Sequence, residues 1–331
     1  MSDLVIVADI GGTNARFAAV DLETMHLSHL VVYSCAEFPS FEAVFSHYQH
    51  TVVGQPIKRA AIAVACPILG DEISMTNLHW QCSISALKVT LQLEELIVMN
   101  DFIAIAMSLP VIPRNETVQI GGGKTLPGKP KVILGPGTGL GVSFLISDSE
   151  KYTPLGSEGG HVGWCAETEQ EHCIYRFLKR QFGRVSIERV LSGSGLEQIY
   201  LALAEYSNLS IAPLSASNIA TLALQGDALA KTTVDQFFAI LGSFAGDLAL
   251  TLNAYGGVYL AGGMIPKLLP QLNALKFRER FEAKGRFSSV NQSIATFAIT
   301  TKQPGLLGAA LCLKQQGNYE YNTTNTMAAT A

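Results

Sequence analysis

Two aspartates stand where hydrophobic runs stop. Asp9 ends "LVIVAD" and is followed by Ile10, the pair Gly11–Gly12, Thr13 and Asn14, while Asp101 follows Asn100 at the end of "ELIVMN". Glycines let a turn bring backbone N–H groups against an anion with no Cβ in the way, and a threonine adds a hydroxyl donor. Such a turn suits a phosphate. A polyphosphate would repel the neighbouring carboxylate unless a divalent cation stood between them, so Asp9 is expected to face a hydrated Mg²⁺. A second Gly-Thr turn, Gly137–Thr138–Gly139, lies in "VILGPGTGLGVSFLI". Aligning the two turns superimposes "VADIGGTNARFA" on "VILGPGTGLGVS", a weak internal repeat of one strand–turn–strand unit. A third glycine motif, Gly262–Gly263 in "LAGGMIP", follows an apolar strand and precedes an expected helix, where backbone can approach a ligand closely. An ordinary hairpin or strand-to-helix turn explains any one of these alone. Together they suggest a nucleotide-phosphate binder.

Familiar alternatives fail on spacing or context. No Gly-Lys-Ser/Thr follows a glycine at Walker-loop spacing, and Gly-x-Gly-x-x-Gly is absent at Gly11. "GPGTGLG" does contain alternating glycines, but it leads into the strand-like "VSFLI" rather than a helix, against a dinucleotide fold. No Cys-His arrangement supports a nucleophilic enzyme. Asp101 itself has two readings: strand ends in α/β sheets present ligands, and an aspartate is also a good cap for the helix "FIAIAMSL".

The elements that must position these residues follow from periodicity. "LVIVAD", "ARFAAVD" and "HLVVYSC" read as strands, and "SFEAVFSHYQHTV" as a Ser-capped amphipathic helix. Strand "RAAIAVAC", a hairpin in "EISMTNLHWQCS", helix "ISALKVTLQ" and strand "ELIVMND" complete an α/β layer on a mixed sheet, closing near Pro110 and Pro113. The second strand–turn–strand unit is followed by helices over 168–181, 195–206, 217–225 and 231–254. Strand "GVYLAGG", helix "IPKLLPQLNAL" and a final helix beginning at Pro304 come after them. The tail "GNYEYNTTNTMAATA" holds too little apolar content to order itself.

A chain of 331 residues accommodates two core-bearing domains. Its charged fraction is 15% against 48% hydrophobic, so much surface is expected to face inward or a subunit interface. The net charge of −4 and the absence of a Lys/Arg run argue against nucleic acid as a partner. The first apolar segment is only a strand long, so no signal peptide is read and the protein is expected to be cytoplasmic. Asp247 and prolines cut the longest apolar stretches, so no membrane span is expected. The six cysteines are scattered, which reads as reduced buried thiols.

"DIGGTNAR", "NDF", "LGPGTGLG", "GSEGGH", "ERVLSGSGL" and "LAGG" occur in this order between residues 9 and 263. With "PGLLGAALCL" near the C-terminus, the chain resembles the ATP-dependent bacterial glucokinase family along nearly its whole length. The resemblance implies the two-domain α/β fold of sugar kinases, actin and the chaperone ATPases, with a central mixed β-sheet in each domain and the active site in the interdomain cleft. In that fold residues 1–110 plus 301–321 form a small domain, 111–300 a large one, and 322–331 a mobile tail. It implies transfer of the γ-phosphoryl group of Mg-ATP to the 6-hydroxyl of D-glucose, by a homodimer.

The same resemblance assigns roles to residues. Asp101 is the expected general base, with Asn100, Asp101, Glu158, His161 and Glu188 binding the sugar, whose vicinal hydroxyls suit carboxylates. Asp9, Ile10, Gly11, Gly12, Thr13, Asn14, Gly137, Thr138, Gly139, Gly262 and Gly263 are expected at the nucleotide, and Asp9 at Mg²⁺ through water. A satisfied histidine, in the core or behind the sugar contacts, remains open for His161, and a solvated pairing with Arg184 or Arg189 for Glu188. A related group, the repressor and kinase (ROK) family, carries a Cys-x-Cys zinc motif after the equivalent histidine. Here Cys165, His172 and Cys173 lack that spacing, and helical neighbours point about 100° apart, so no zinc is expected. A kinase for mannose or N-acetylmannosamine, or an actin- or chaperone-like ATPase switch, remains the alternative.

Overall fold

The computed structural model describes residues 4–68, 70–75, 80–148, 151–272 and 274–315. The chain forms two compact units, one made of residues up to Pro113 together with those from Thr301, the other of Arg114–Thr300. The tail 322–331 and the connection at 76–79 inside the "EISMTNLHWQCS" hairpin lie outside the described residues.

The first unit opens with β1 (Leu4–Ile10), β2 (Asn14–Asp21) and β3 (His26–Ser34), then α1 (Phe41–Tyr48) and β4 (Arg59–Val64). It continues with the small hairpin β5 (Glu72–Ser74) and β6 (Gln81–Ser83), α2 (Ile84–Thr90), β7 (Glu95–Asn100) and α3 (Asp101–Ser108). The main sheet has the order β3-β2-β1-β4-β7; β1, β4 and β7 run parallel and the β2–β3 meander is antiparallel. Alternation along β1 sends Ile6, Ala8 and Ile10 to the face covered by α1, with Phe41, Val44, Phe45 and Tyr48. Val5 and Val7 point the other way, to a core completed by Leu306, Ala309, Ala310 and Leu313 of the C-terminal helix, Pro304–Gln315. A Cβ at Gly308 would overlap the carbonyl oxygen of Ala104, so glycine is what lets that helix seat on α3. Ser40 caps α1 by accepting from the Ala43 N–H.

The second unit begins with β8 (Thr117–Gly121), β9 (Lys131–Pro136), β10 (Leu140–Ser147) and β11 (Tyr152–Ser157). Helices α4 (Glu169–Phe182), α5 (Gly193–Tyr206), α6 (Ala216–Leu224) and α7 (Ala228–Leu252) follow, then β12 (Val258–Leu260), α8 (Ile265–Leu268), α9 (Ala274–Glu282), α10 (Ser288–Ser293) and β13 (Thr296–Ile299). Its sheet has the order β11-β10-β9-β12-β13-β8, mixed in direction. Most of α7 is buried, yet no helix among the described residues is long and apolar enough to cross a membrane.

Two expectations need correction, and two strands escaped the sequence. "IPKLLPQLNAL" is not one helix: α8 lasts four residues, gives way to a 3₁₀ turn at Leu269–Gln271, and α9 starts only at Ala274. Pro270 lacks the N–H a continuing helix would need. The edge strands β8 and β11 were not foreseen; both are short and half-exposed, so no apolar run marks them. Of the six cysteines only Cys35 and Cys66 are buried, and Cys165 is exposed.

Candidate active site

In the first unit, the carboxyl ends of three parallel strands meet at one sheet edge: Ile10 lies opposite Val64, and Val64 opposite Asn100. The turn that follows β1 is closed by Gly11 N–H donating to Asn14 O at 3.0 Å, and Cys35 N–H, at the end of β3, donates to Thr13 O at 2.9 Å. Asp9 thus sits at the mouth of a fixed loop. Directly across the β1–β2 ladder from it lies Arg16, whose Nη1 donates to Asp9 Oδ2 at 3.2 Å. Burial pushes the Asp9 carboxyl up, and Arg16 offsets only part of that rise. Sequence reasoning missed Arg16, although its place two residues beyond Asn14, in register with Asp9, was readable.

The β7–α3 junction shows which residue caps the helix. Asn100, not Asp101, is the N-cap: its Oδ1 accepts from the Phe102 N–H at 2.9 Å, and its Nδ2 donates to Cys66 O at 3.4 Å. Asp101 occupies the first helical position, where its Oδ1 shares the same Phe102 donor at 2.9 Å. The cap therefore does not require the aspartate. Its carboxyl is pushed up to about 7, first by burial and then by the charge of Asp9, against the downward pull of Phe102 N–H. A carboxyl balanced near neutrality is suited to taking a proton.

In the second unit, the β9–β10 turn is closed by Gly137 N–H donating to Gly139 O at 2.8 Å. The glycine pair after β12 packs against it. Gly262 adopts a φ of +82°, and a Cβ there would come within 2.6 Å of Pro136 O; nothing lies within 4 Å of a Cβ at Gly137 or Gly263. The structure thus joins the second and third glycine motifs. The helix after "LAGG" is a single turn, so its dipole adds little.

Glu158, His161 and Glu188 also converge there. Glu158 Oε2 and Glu188 Oε1 each lie 4.0 Å from His161, at Nε2 and Nδ1 respectively. The 3₁₀ turn Gly159–His161 lies close on β10, and side chains at its two glycines would strike Val142 and the Leu140 carbonyl. Glu188 does not pair with Arg184 or Arg189: its Oε2 accepts from Leu140 N–H at 2.9 Å, at the exit of the glycine turn. Arg189 instead stacks over Phe182, 4.1 Å from the ring centre. His161 is exposed, which removes the core-histidine reading. Ser192 Oγ donates to Glu188 O, and Gly193 N–H to Gly137 O at 2.9 Å, so the loop carrying Glu188 is fastened to the turn.

The result is one cluster in each unit: a glycine turn with two carboxylates and an arginine in the first, and a glycine turn with an imidazole between two carboxylates in the second. The first can face phosphate and accept a proton; the second can accept hydrogen bonds from adjacent hydroxyls.

The sequence profile of the glucokinase family matches residues 6–316. The chain is 42% identical to the glucokinase of Psychromonas ingrahamii over 318 residues, 95% of this chain and 98% of that one. It is 43% identical to the glucokinase of Colwellia psychrerythraea over 94% of this chain and 96% of that one. Among solved structures, a glucokinase from an Antarctic psychrotroph superimposes with a TM-score of 0.86 at 35% identity, covering 95% of this chain and 99% of that one. A ROK family protein from Streptococcus pneumoniae, at 16% identity and a TM-score of 0.66 over 95% of this chain and 99% of that one, shares the fold.

Proposed function

This chain belongs to the glucokinase family, and on that premise we propose that it transfers the γ-phosphoryl group of Mg-ATP to the 6-hydroxyl of D-glucose, giving glucose 6-phosphate and ADP. The observation that carries the reading is Asp101, a carboxyl at a strand end, beside Asp9 and held near neutrality. Asp101 accepts the proton of the attacking hydroxyl. A sugar hydroxyl is far less acidic than a carboxylic acid, so the proton moves late, as the oxygen becomes bonded to phosphorus.

Asn100 and Asp101 hold the reacting end of the sugar, and Glu158, His161 and Glu188 its ring hydroxyls. Ile10, Gly11, Gly12, Thr13 and Asn14 cradle phosphate through backbone amides and hydroxyls, with Gly137, Thr138, Gly139, Gly262 and Gly263 completing the nucleotide contacts. Asp9 fits Mg²⁺: it is a hard oxygen donor beside the phosphate turn, with Oδ2 engaged by Arg16, and Mg²⁺ is commonly held by one or two carboxylates plus phosphates and waters. When bound, the ion would neutralise the polyphosphate. Arg16 keeps the Asp9 carboxylate oriented. We further propose a cytoplasmic homodimer, for which the low charged fraction of 15% is the supporting sign.

An ADP-coupled assay with Mg-ATP and a hexose panel tests the proposal. Glucose-dependent ADP release by the parent, lost in Asp101→Ala while both substrates still bind, is the expected result. Preference for mannose or N-acetylmannosamine would reassign the sugar. ATP turnover indifferent to every hexose would favour a nucleotide switch instead.

A further inference from the structure

The strand-like segment after His161 and the one before Glu188 are zipped together. Trp164 N–H donates to Val185 O at 3.1 Å, Ile187 N–H donates to Val162 O at 2.9 Å, and Gly163 bridges Ser186 in an antiparallel sense. This miniature ladder ends with His161 beside Glu188, the residues next in register. Its other end holds Arg184, which follows Gly183 in a positive-φ turn closing α4. The Arg184 side chain runs back past the ladder, and its Nη2 donates to the main-chain oxygen of His161 at 2.8 Å. That charge-assisted bond grips the 3₁₀ turn carrying His161 from outside, where no backbone partner reaches its carbonyl in the ladder.

Building on the sugar role given above to Glu158, His161 and Glu188, we propose that Arg184 is a positioning residue of the hexose cluster, setting sugar affinity without entering phosphoryl transfer. Arg184 is exposed, and its hydrogen bond goes to the His161 main chain. Its hydrogen bond fixes the His161 main chain, and through it the imidazole that stands 4.0 Å from each carboxylate. Loss of that bond leaves the two-bond ladder intact but lets the Gly159–His161 turn shift, with glycines at two of its three positions offering no side-chain resistance. Misplacing acceptors around a polyhydroxylated ligand weakens its binding in ground and transition states alike, which appears in KM rather than kcat.

The test is steady-state kinetics of parent, Arg184→Met and Arg184→Lys with glucose and ATP varied independently, together with melting curves. The methionine variant is expected to raise the glucose KM about five- to tenfold, up to about 1.4 kcal/mol, with kcat and the ATP KM within about twofold of parent. The lysine variant, which keeps a cationic donor on a stem of similar reach, should recover most of the affinity, and its melting temperature should match that of the parent. An unchanged glucose KM in both variants overturns the assignment, as does a fall in kcat matched by a rise in the ATP KM. A well-folded parent that phosphorylates no hexose defeats the kinase reading beneath it and takes this inference with it.

Discussion

The two Gly-Thr turns each join a pair of antiparallel strands and differ in where their negative charge comes from. The β1–β2 turn has its carboxylate on the strand that feeds it, Asp9, with the balancing Arg16 directly across the ladder. The β9–β10 turn has no acid of its own; Glu188, some fifty positions later in sequence, is brought onto Leu140 N–H by a separate loop. In the first the charge is part of the hairpin. In the second it is delivered, so its position depends on every contact that holds the delivering loop.

The sharpest way to separate the turns is to remove the charge that only one of them has nearby. Replacing Asp101, whose carboxyl feels Asp9, with asparagine is expected to lower kcat about 10²- to 10⁴-fold, yet to raise folding stability at pH 8 by on the order of 1–2 kcal/mol. The sign follows from its carboxyl being raised to about 7 in the folded state from 3.8. Between those values the native state holds the extra proton, so stability falls as pH rises, and the penalty is complete above about 7. Denaturant unfolding of parent and variant at pH 4, 6 and 8 should show a gap that widens and then levels. A constant gap would refute the electrostatic origin.

Next in size, Gly139→Ala would put a Cβ 2.5 Å from Glu188 Oε2, whereas Gly11→Ala meets nothing nearer than Asn14 O at 3.7 Å. The first change should displace the delivered carboxylate and raise the KM for both glucose and ATP at least about tenfold. Gly11→Ala should leave glucose affinity intact and weaken only ATP. Equal effects on both substrates in both variants would erase the distinction between an inbuilt and a delivered acid.

The smallest effect concerns the glycines that back each turn. Gly262→Ala combines a positive φ with a 2.6 Å approach to Pro136 O and should cost about 1–3 kcal/mol. Gly305→Ala, whose Cβ would sit 3.7 Å from Asp9 Cγ, should change stability by no more than about 0.5 kcal/mol. Thermal melts of the two variants suffice to compare them.

The same contrast explains what was legible in the sequence. β1, β2, β4, β7, β9 and β10 are buried strands with continuous apolar runs, and their glycine turns are local, so both hairpins could be read directly. Capping at the β7–α3 junction was an alternative role for Asp101 in the sequence because Asn100 and Asp101 are both good capping residues, and only geometry shows that Asn100 is the cap. Glu188 was found by resemblance, but its grip on Leu140 was not, nor was the reach of Arg184 to His161. Each pairs a side chain with a backbone atom more than twenty positions away, and no periodicity records such a contact. The split of "IPKLLPQLNAL" was signalled by Pro270, which sequence reading passed over.

The seat of Gly308 on Ala104 has a consequence for biosynthesis. The sheet face formed by Val5, Val7, Val20, Ala61 and Met99 packs with Ala104 of α3 and with the helix that holds Leu306, Ala309 and Leu313, among the last described residues to be made. At about 5–20 residues per second, roughly 10–40 seconds separate synthesis of α3 from that of its covering helix. The uninterrupted segment Arg114–Thr300 can fold during that interval, while the earlier-made sheet has α3 but not the C-terminal helix on this face. In the nascent chain the core of the first unit is therefore completed only after the middle segment has been made.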